Sequence, residues 1–331
     1  MNPSLLIAIL VVVALTFDFL NGFHDSSNIV ATMISSRAMR PRSALLLSAA
    51  AHFCGPFLFG MAVATTVGHE VIAEQAVTMP VILAALGSAI VWNIITWLLG
   101  IPSSSSHALI GGMVGAAVVD FGFEVILVRG LLKVVAALFI SPILGLVTGY
   151  LIMKLVLFLA RGASPRINWV FKRAQTLTSL ALALSHGSND AQKTMGIITM
   201  GLVATGNLST FTVPWWVVVA CAGAISLGTA LGGWRIIRTL GGKFYKIRPV
   251  HGFTTQVTSA AVILGAGLLG GPVSTTQVVS SAIMGAGAAE RLSKVRWGVA
   301  GDIATAWILT IPATALMAAL LHLIIVRLWH I

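Results

Sequence analysis

The sequence predicts an all-α, polytopic membrane protein of about ten membrane segments, arranged as two inverted-topology repeats of five. Three observations lead there. Of the 331 residues, 57% are hydrophobic and only 9% charged, with a mean hydropathy of +0.98, more apolar than a water-soluble domain of this length needs. Apolar runs of about 20 residues, enough to cross a bilayer as a helix, recur along the whole chain, without the strand-like alternation of a membrane barrel. The polar string Asn21-Gly22-Phe23-His24-Asp25 has a counterpart, His186-Gly187-Ser188-Asn189-Asp190, 165 residues later.

The apolar segments run over 4–23, 43–67, 80–99, 103–119, 134–159, 176–204, 215–233, 254–271, 274–289 and 298–326. The first has no basic residue ahead of it and runs into Asp18 and Asp25, so it reads as a mature span and not as a cleaved signal. The loop at 35–42 carries Arg37, Arg40 and Arg42, that at 161–173 carries Arg161, Arg166, Lys172 and Arg173, and that at 234–248 carries five bases. The loop at 290–296 carries three bases and Glu290, whereas 68–79 holds only Glu70 and Glu74. Basic loops stay cytoplasmic, and ten crossings with both termini outside satisfy every loop. Residues 1–170 and 171–331 then form the repeats. Five segments per half is an odd number, so the halves lie in opposite orientations and meet near the bilayer midplane, where substrate sites of inverted repeats are found. The fourth segment of each repeat, 103–119 and 274–289, is short enough to be a re-entrant or broken helix instead of a full span.

The net charge of +11 comes from Lys and Arg residues that sit mostly in these short loops, as in other membrane proteins, with no basic domain to hold nucleic acid. Cys54 and Cys221 lie in apolar segments and read as packing residues, not as a disulfide or metal framework.

A second pair of strings opens the fourth segments: Pro102-Ser103-Ser104-Ser105-Ser106-His107 and Pro272-Val273-Ser274-Thr275-Thr276-Gln277. Proline suits the first turn of a helix. The residues behind it offer hydroxyls and unpaired N–H groups at the positive end of the helix dipole, a cradle for an anion. Ser104, Ser105, Ser106, Ser274, Thr275 and Thr276 supply six hydroxyls and Gln277 an amide, as an oxyanion needs. The plain alternative is that such residues bond to the preceding turn or permit close helix packing.

Asp25 and Asp190 only accept hydrogen bonds when ionised, so beside an anion they call for a cation or proton. Asn21, Asn28 and Asn189 add neutral oxygens, which hard cations prefer. His24 and His186 can carry protons near neutral pH. Aligning Asp25 with Asp190 sets Lys193 opposite Asn28; it either binds the anion or takes the place of a cation beside Asp190.

The strings Asn21 to Asn28 with Ala31-Thr32, His186-Gly187-Ser188-Asn189-Asp190-Ala191-Gln192-Lys193, the two proline-hydroxyl strings and Trp297-Gly298-Val299-Ala300-Gly301 resemble the signatures of the inorganic phosphate transporter (PiT) family over nearly the whole chain. The resemblance implies secondary transport of phosphate in an inverted-repeat fold, driven by Na⁺ or H⁺, and a homodimer. His24-Asp25 and Gln192-Lys193 depart from the sodium-coupled members, which tend to carry Asn-Asp in both signatures and Asn at the place of Lys193. The pattern is closer to bacterial proton-coupled, low-affinity members, thought to carry phosphate partly as a neutral metal complex. Some relatives carry sulfate.

The expected function is import of inorganic phosphate into the cell by cation symport through the cell membrane, with a sulfate permease or an uncoupled anion channel as alternatives. An enzyme of phosphoryl chemistry is not expected, since no nucleophile with a clear base and no His/Glu cluster appears. No cofactor is expected; the partners are phosphate, the coupling cation, the lipid bilayer and a second copy of the chain.

Overall fold

In the computed structural model, which describes residues 3–69 and 71–329, the chain is helical, and an isolated bridge between Ile72 and Ile126 is the extended pairing among the described residues. Glu70 of the acidic loop and the chain ends lie outside them. The first half contains α1 (Pro3–Ser35), α2 (Pro41–Cys54), α3 (Ala62–His69), α4 (Met79–Leu99), α5 (Ser105–Phe121) and α6 (Val128–Leu159). The second contains α7 (Ile167–Ala204), α8 (Trp215–Leu231), α9 (Trp234–Gly242), α10 (Pro249–Leu268), α11 (Thr275–Glu290) and α12 (Trp297–Trp329).

Four helices, α1, α4, α6 and α12, are long and apolar enough to cross a membrane, and α8 with α9 adds a fifth if that bent pair is one span. The expected ten segments are therefore only partly visible by length and composition. The others are interrupted, short or polar. The segment at 43–67 is broken into α2 and α3 at Gly55-Pro56, where a 3-10 turn intervenes. The segment at 215–233 ends at Gly232, in the left-handed region at φ 72°, and the chain turns by 68° into α9. The basic stretch expected as a loop is thus partly a helix, with Ile236, Ile237 and Leu240 buried and Arg235 and Arg238 exposed.

The helix starts of interest are made in the same way twice. Gly100 (φ 67°) ends α4 and Gly270 (φ 71°) follows α10, a conformation that costs glycine nothing. A short extended stretch containing Pro102 or Pro272 follows. The Ser104 hydroxyl accepts the His107 N–H at 3.1 Å, and the Ser274 hydroxyl accepts that of Gln277 at 3.4 Å, which satisfies a donor left free at a helix start. α5 packs between α4 and α12, and α11 between α10 and α6. The packing is reciprocal elsewhere too: α1 lies on α8, and α7 on α2.

Backbones approach closely at these crossings. A Cβ added to Gly22 of α1 would meet the Ile225 carbonyl at 2.1 Å, and one at Gly228 of α8 would meet the Phe19 carbonyl at 1.9 Å. In the other half, Gly187 of α7 faces His52 and Gly55 faces Leu184, with backbone atoms 2.8 and 2.4 Å from the added carbon. Small residues at helix crossings bring the signature stretches of α1 and α7 into the interior.

At the end of α11 a polar cluster ties helix ends together. Glu290 pairs with Arg248 and Lys294 and accepts from His251 Nε2 at 3.0 Å, while His251 Nδ1 accepts the Arg248 N–H at 2.9 Å. Burial pushes the His251 imidazole below its ordinary range. Burial raises the Glu290 carboxyl, but the hydrogen bonds from His251 and Lys294 and the neighbouring positive charges outweigh it and hold the group well below its ordinary value. A depressed carboxyl stabilises the fold above its unfolded-state value, and that contribution is lost as pH falls through the folded-state value. Glu290→Gln is therefore expected to lower the melting temperature in detergent at neutral pH, with the gap to the unmodified protein closing as pH falls below the ordinary carboxyl value of 4.5.

Candidate anion and cation site

The signature residues lie in the middle of α1 and α7, where the run 24–33 of one and 185–202 of the other are buried. Such a polar stretch has no place against lipid. It is met by the starts of α5 and α11, also buried.

The two helix starts touch: the Ser106 hydroxyl lies 3.5 Å from the Val273 carbonyl. Around them the carboxylates are ordered by short contacts. The Thr275 hydroxyl sits between Asp190 Oδ2 at 3.0 Å and Asp25 Oδ2 at 3.3 Å. Thr276 donates to Asp25 Oδ1 at 3.0 Å and accepts from Asn28 Nδ2 at 3.0 Å. Lys193 pairs with Asp190 Oδ1 and donates to the Ser106 hydroxyl at 2.7 Å and the Val273 carbonyl at 3.0 Å. His186 spans the carboxylates, with Nδ1 3.2 Å from Asp190 Oδ2 and Nε2 4.0 Å from Asp25 Oδ2. His24 Nδ1 meets Asp25 Oδ1 at 2.9 Å. Ser105 donates to Asn21 Oδ1 at 2.7 Å.

One ligand atom from each of Asp25, His186 and Asp190 lies within 4.8 Å of the others. Two carboxylates and an imidazole are a ligand set that suits a divalent metal ion.

Some candidates face elsewhere. The Ser104 and Ser274 hydroxyls cap their own helices. Gln277 Nε2 points to His107 Nδ1 at 3.4 Å, and Asn189 Nδ2 donates to the Gly271 carbonyl at 3.3 Å. Asp18 is buried and accepts from the Thr194 hydroxyl at 3.0 Å.

Other residues join without a motif to announce them. His52 stacks on His186, with ring centroids 5.0 Å apart, and its Nδ1 meets the Thr229 hydroxyl at 2.7 Å. Thr96 lies 3.3 Å from His24 Nε2 and accepts from Ser103 at 2.9 Å. Gln192 Oε1 accepts the Val63 N–H at 3.0 Å, which ties α7 to the start of α3. His52 and Thr96 lie in apolar runs with no motif around them; only Gln192, within the second signature, gave a signal.

The chain matches the phosphate transporter family twice, over residues 21–164 and 158–318. A "probable low-affinity inorganic phosphate transporter" of Rhizobium meliloti (strain 1021) is 48% identical over 95% of this chain and 94% of its own. A protein of the same description from Bacillus subtilis (strain 168) is 44% identical over 98% of this chain and 99% of its own. These relatives are transporters by name and not enzymes. A solved sodium-dependent phosphate transporter superimposes with a TM-score of 0.87 at 24% identity, covering 97% of this chain and 98% of that one, and so has the same fold. With two matches that together span most of the sequence, and relatives this similar along nearly their full length, the chain belongs to the phosphate transporter family.

Proposed function

We propose that the protein imports inorganic phosphate by symport with H⁺ or Na⁺ through the cell membrane, as a homodimer with both chain termini outside. The observation that carries the reading is the meeting of two hydroxyl-lined helix starts with two buried carboxylates. Free N–H groups and hydroxyls at the starts of α5 and α11 take the anion, and Asp25, Asp190 and their Asn and His neighbours take the positive species. The matching packing of the halves fits inverted repeats, 1–170 and 171–331, with the site between them. Rocking of one set of helices against the other then exposes the site to each side in turn.

Hydrogen phosphate can donate to a carboxylate whereas sulfate cannot near neutral pH, and the two buried acceptors therefore favour phosphate. The Asp25–His186–Asp190 group also suits phosphate carried with a divalent ion. Radiolabelled phosphate uptake into proteoliposomes, with H⁺ and Na⁺ gradients imposed separately, tests the proposal. Accumulation driven by one of them, with little competition from sulfate, is expected. Equilibration without accumulation identifies an uncoupled channel, and no uptake under any gradient refutes transport.

Thr275→Ala removes the hydroxyl between the two carboxylates. At about 0.5–1.5 kcal/mol per neutral hydrogen bond, the KM for phosphate is expected to rise by roughly 2- to 10-fold in the same assay.

A further inference from the structure

We infer that the ammonium group of Lys193 is a tethered substitute for a coupling cation: it fills, in the second half, the position that a free cation takes in the first. One exchangeable monovalent cation at the Asp25 side then serves the site where a fully duplicated chain would take two. The inference rests on the transport reading above and concerns its coupling ratio.

The two halves supply the comparison. Asp25 and Asn28 correspond in spacing to Asp190 and Lys193, and the string from Pro102 corresponds to that from Pro272, so Ser106 matches Thr276 and Ser103 matches Val273. Each signature helix reaches the helix start of the opposite half: Lys193 bonds to Ser106, and Asn28 to Thr276. The Lys193 ammonium is held by oxygens alone: the Asp190 carboxylate, the Ser106 hydroxyl at 2.7 Å and the Val273 carbonyl at 3.0 Å. Carboxylate, hydroxyl and backbone carbonyl are the ligands that a hard cation prefers, and a lysine head is a compact point charge on a flexible stem.

In the first half the corresponding groups stand together without a fixed charge. Asp25 Oδ1 lies 3.0 Å from the Thr276 hydroxyl. Asn28 Nδ2 is used by Thr276, but Asn28 Oδ1 is buried with no hydrogen-bond partner, an acceptor left over in a place where leaving one is costly. Among the described residues no lysine or arginine pairs with Asp25, whose nearest charged or chargeable neighbours are His24 at 2.9 Å and His186 at 4.0 Å. Neither histidine is a permanent positive charge, and a buried carboxylate without a counter-charge is expensive. One half thus carries its own positive charge, and the other has the carboxylate, the hydroxyl and the spare amide oxygen to recruit one.

The test reads the number of cations moved with each phosphate, from reversal potentials of the purified protein in proteoliposomes. Lys193→Asn is expected to carry one more cation per phosphate than the unmodified protein, and Asn28→Lys one fewer. An unchanged ratio in Lys193→Asn with a raised phosphate KM assigns the ammonium to the anion and overturns the inference. An unchanged ratio in Asn28→Lys overturns it as well. If neither variant carries phosphate, radioactive Na⁺ bound by the purified proteins is counted: one more ion per chain in Lys193→Asn is expected, and equal counts refute the idea. Absence of uptake by the unmodified protein under every gradient falls instead on the transport reading.

Discussion

Asp190→Asn is expected to abolish coupled phosphate uptake and also to destabilise the protein. The carboxylate is fully buried and answers three groups at once: the Lys193 ammonium, the Thr275 hydroxyl at 3.0 Å and the His186 ring at 3.2 Å. An asparagine keeps the shape but leaves the ammonium in the interior without its counter-charge. Breaking a buried pair by removing one partner costs about 3–5 kcal/mol. The two losses separate in a double variant. Asp190→Asn with Lys193→Met removes both charges and should regain most of the melting temperature in detergent, because an apolar replacement of the whole pair is tolerated. It should not regain uptake. Normal ion-dependent uptake by Asp190→Asn would remove this carboxylate from the coupling machinery.

The second large effect is expected at a crossing with no chemistry of its own. Gly228→Val puts side-chain carbon where the Phe19 carbonyl already lies, 1.9 Å from the added Cβ, with the Phe23 nitrogen at 2.7 Å. Both obstacles are backbone, so α1 and α8 must move apart beside His24 and Asp25. Overpacking of a tight contact costs about 1–3 kcal/mol or more, and the displacement here carries the cation ligands with it. A sharp fall in the monodisperse fraction after detergent extraction, together with loss of uptake, is expected. Gly223→Ala, on the same helix with nothing within 4 Å of the added carbon, is the control and should behave as the unmodified protein. Equal behaviour of the two variants would show that the α1–α8 crossing is not tight.

The all-helical class, membrane embedding and family were legible because they are written in bulk hydropathy and in two repeated strings. Interruptions were less so. The run 43–67 stays apolar through Gly55-Pro56, so hydropathy joins what the backbone separates into α2 and α3. The basic stretch after Gly233 reads as a loop by charge, yet its arginines fall on one face of a helix whose other face is buried. At the site, a repeated motif identifies Asp25, Asp190 and the hydroxyl strings, and the structure brings them together. What the strings do not tell is which partner each side chain meets. Ser104 and Ser274 are spent on capping, Gln277 turns to His107, and the stacking of His52 on His186 joins two residues 134 positions apart with no common pattern.

The exchange of neighbours between the halves also bears on biosynthesis. α1 takes its packing from α8, α5 from α12, and α6 from α11, so the first half emerges from the ribosome with its principal partners still untranslated. Nascent chains ordinarily settle early portions first; here the hydroxyls that meet Asp25 and Asp190 lie on α11 and are made only near the end of the chain. Truncation after α6 is therefore expected to yield no half-sized carrier, because α1, α5 and α6 lose the helices they pack on.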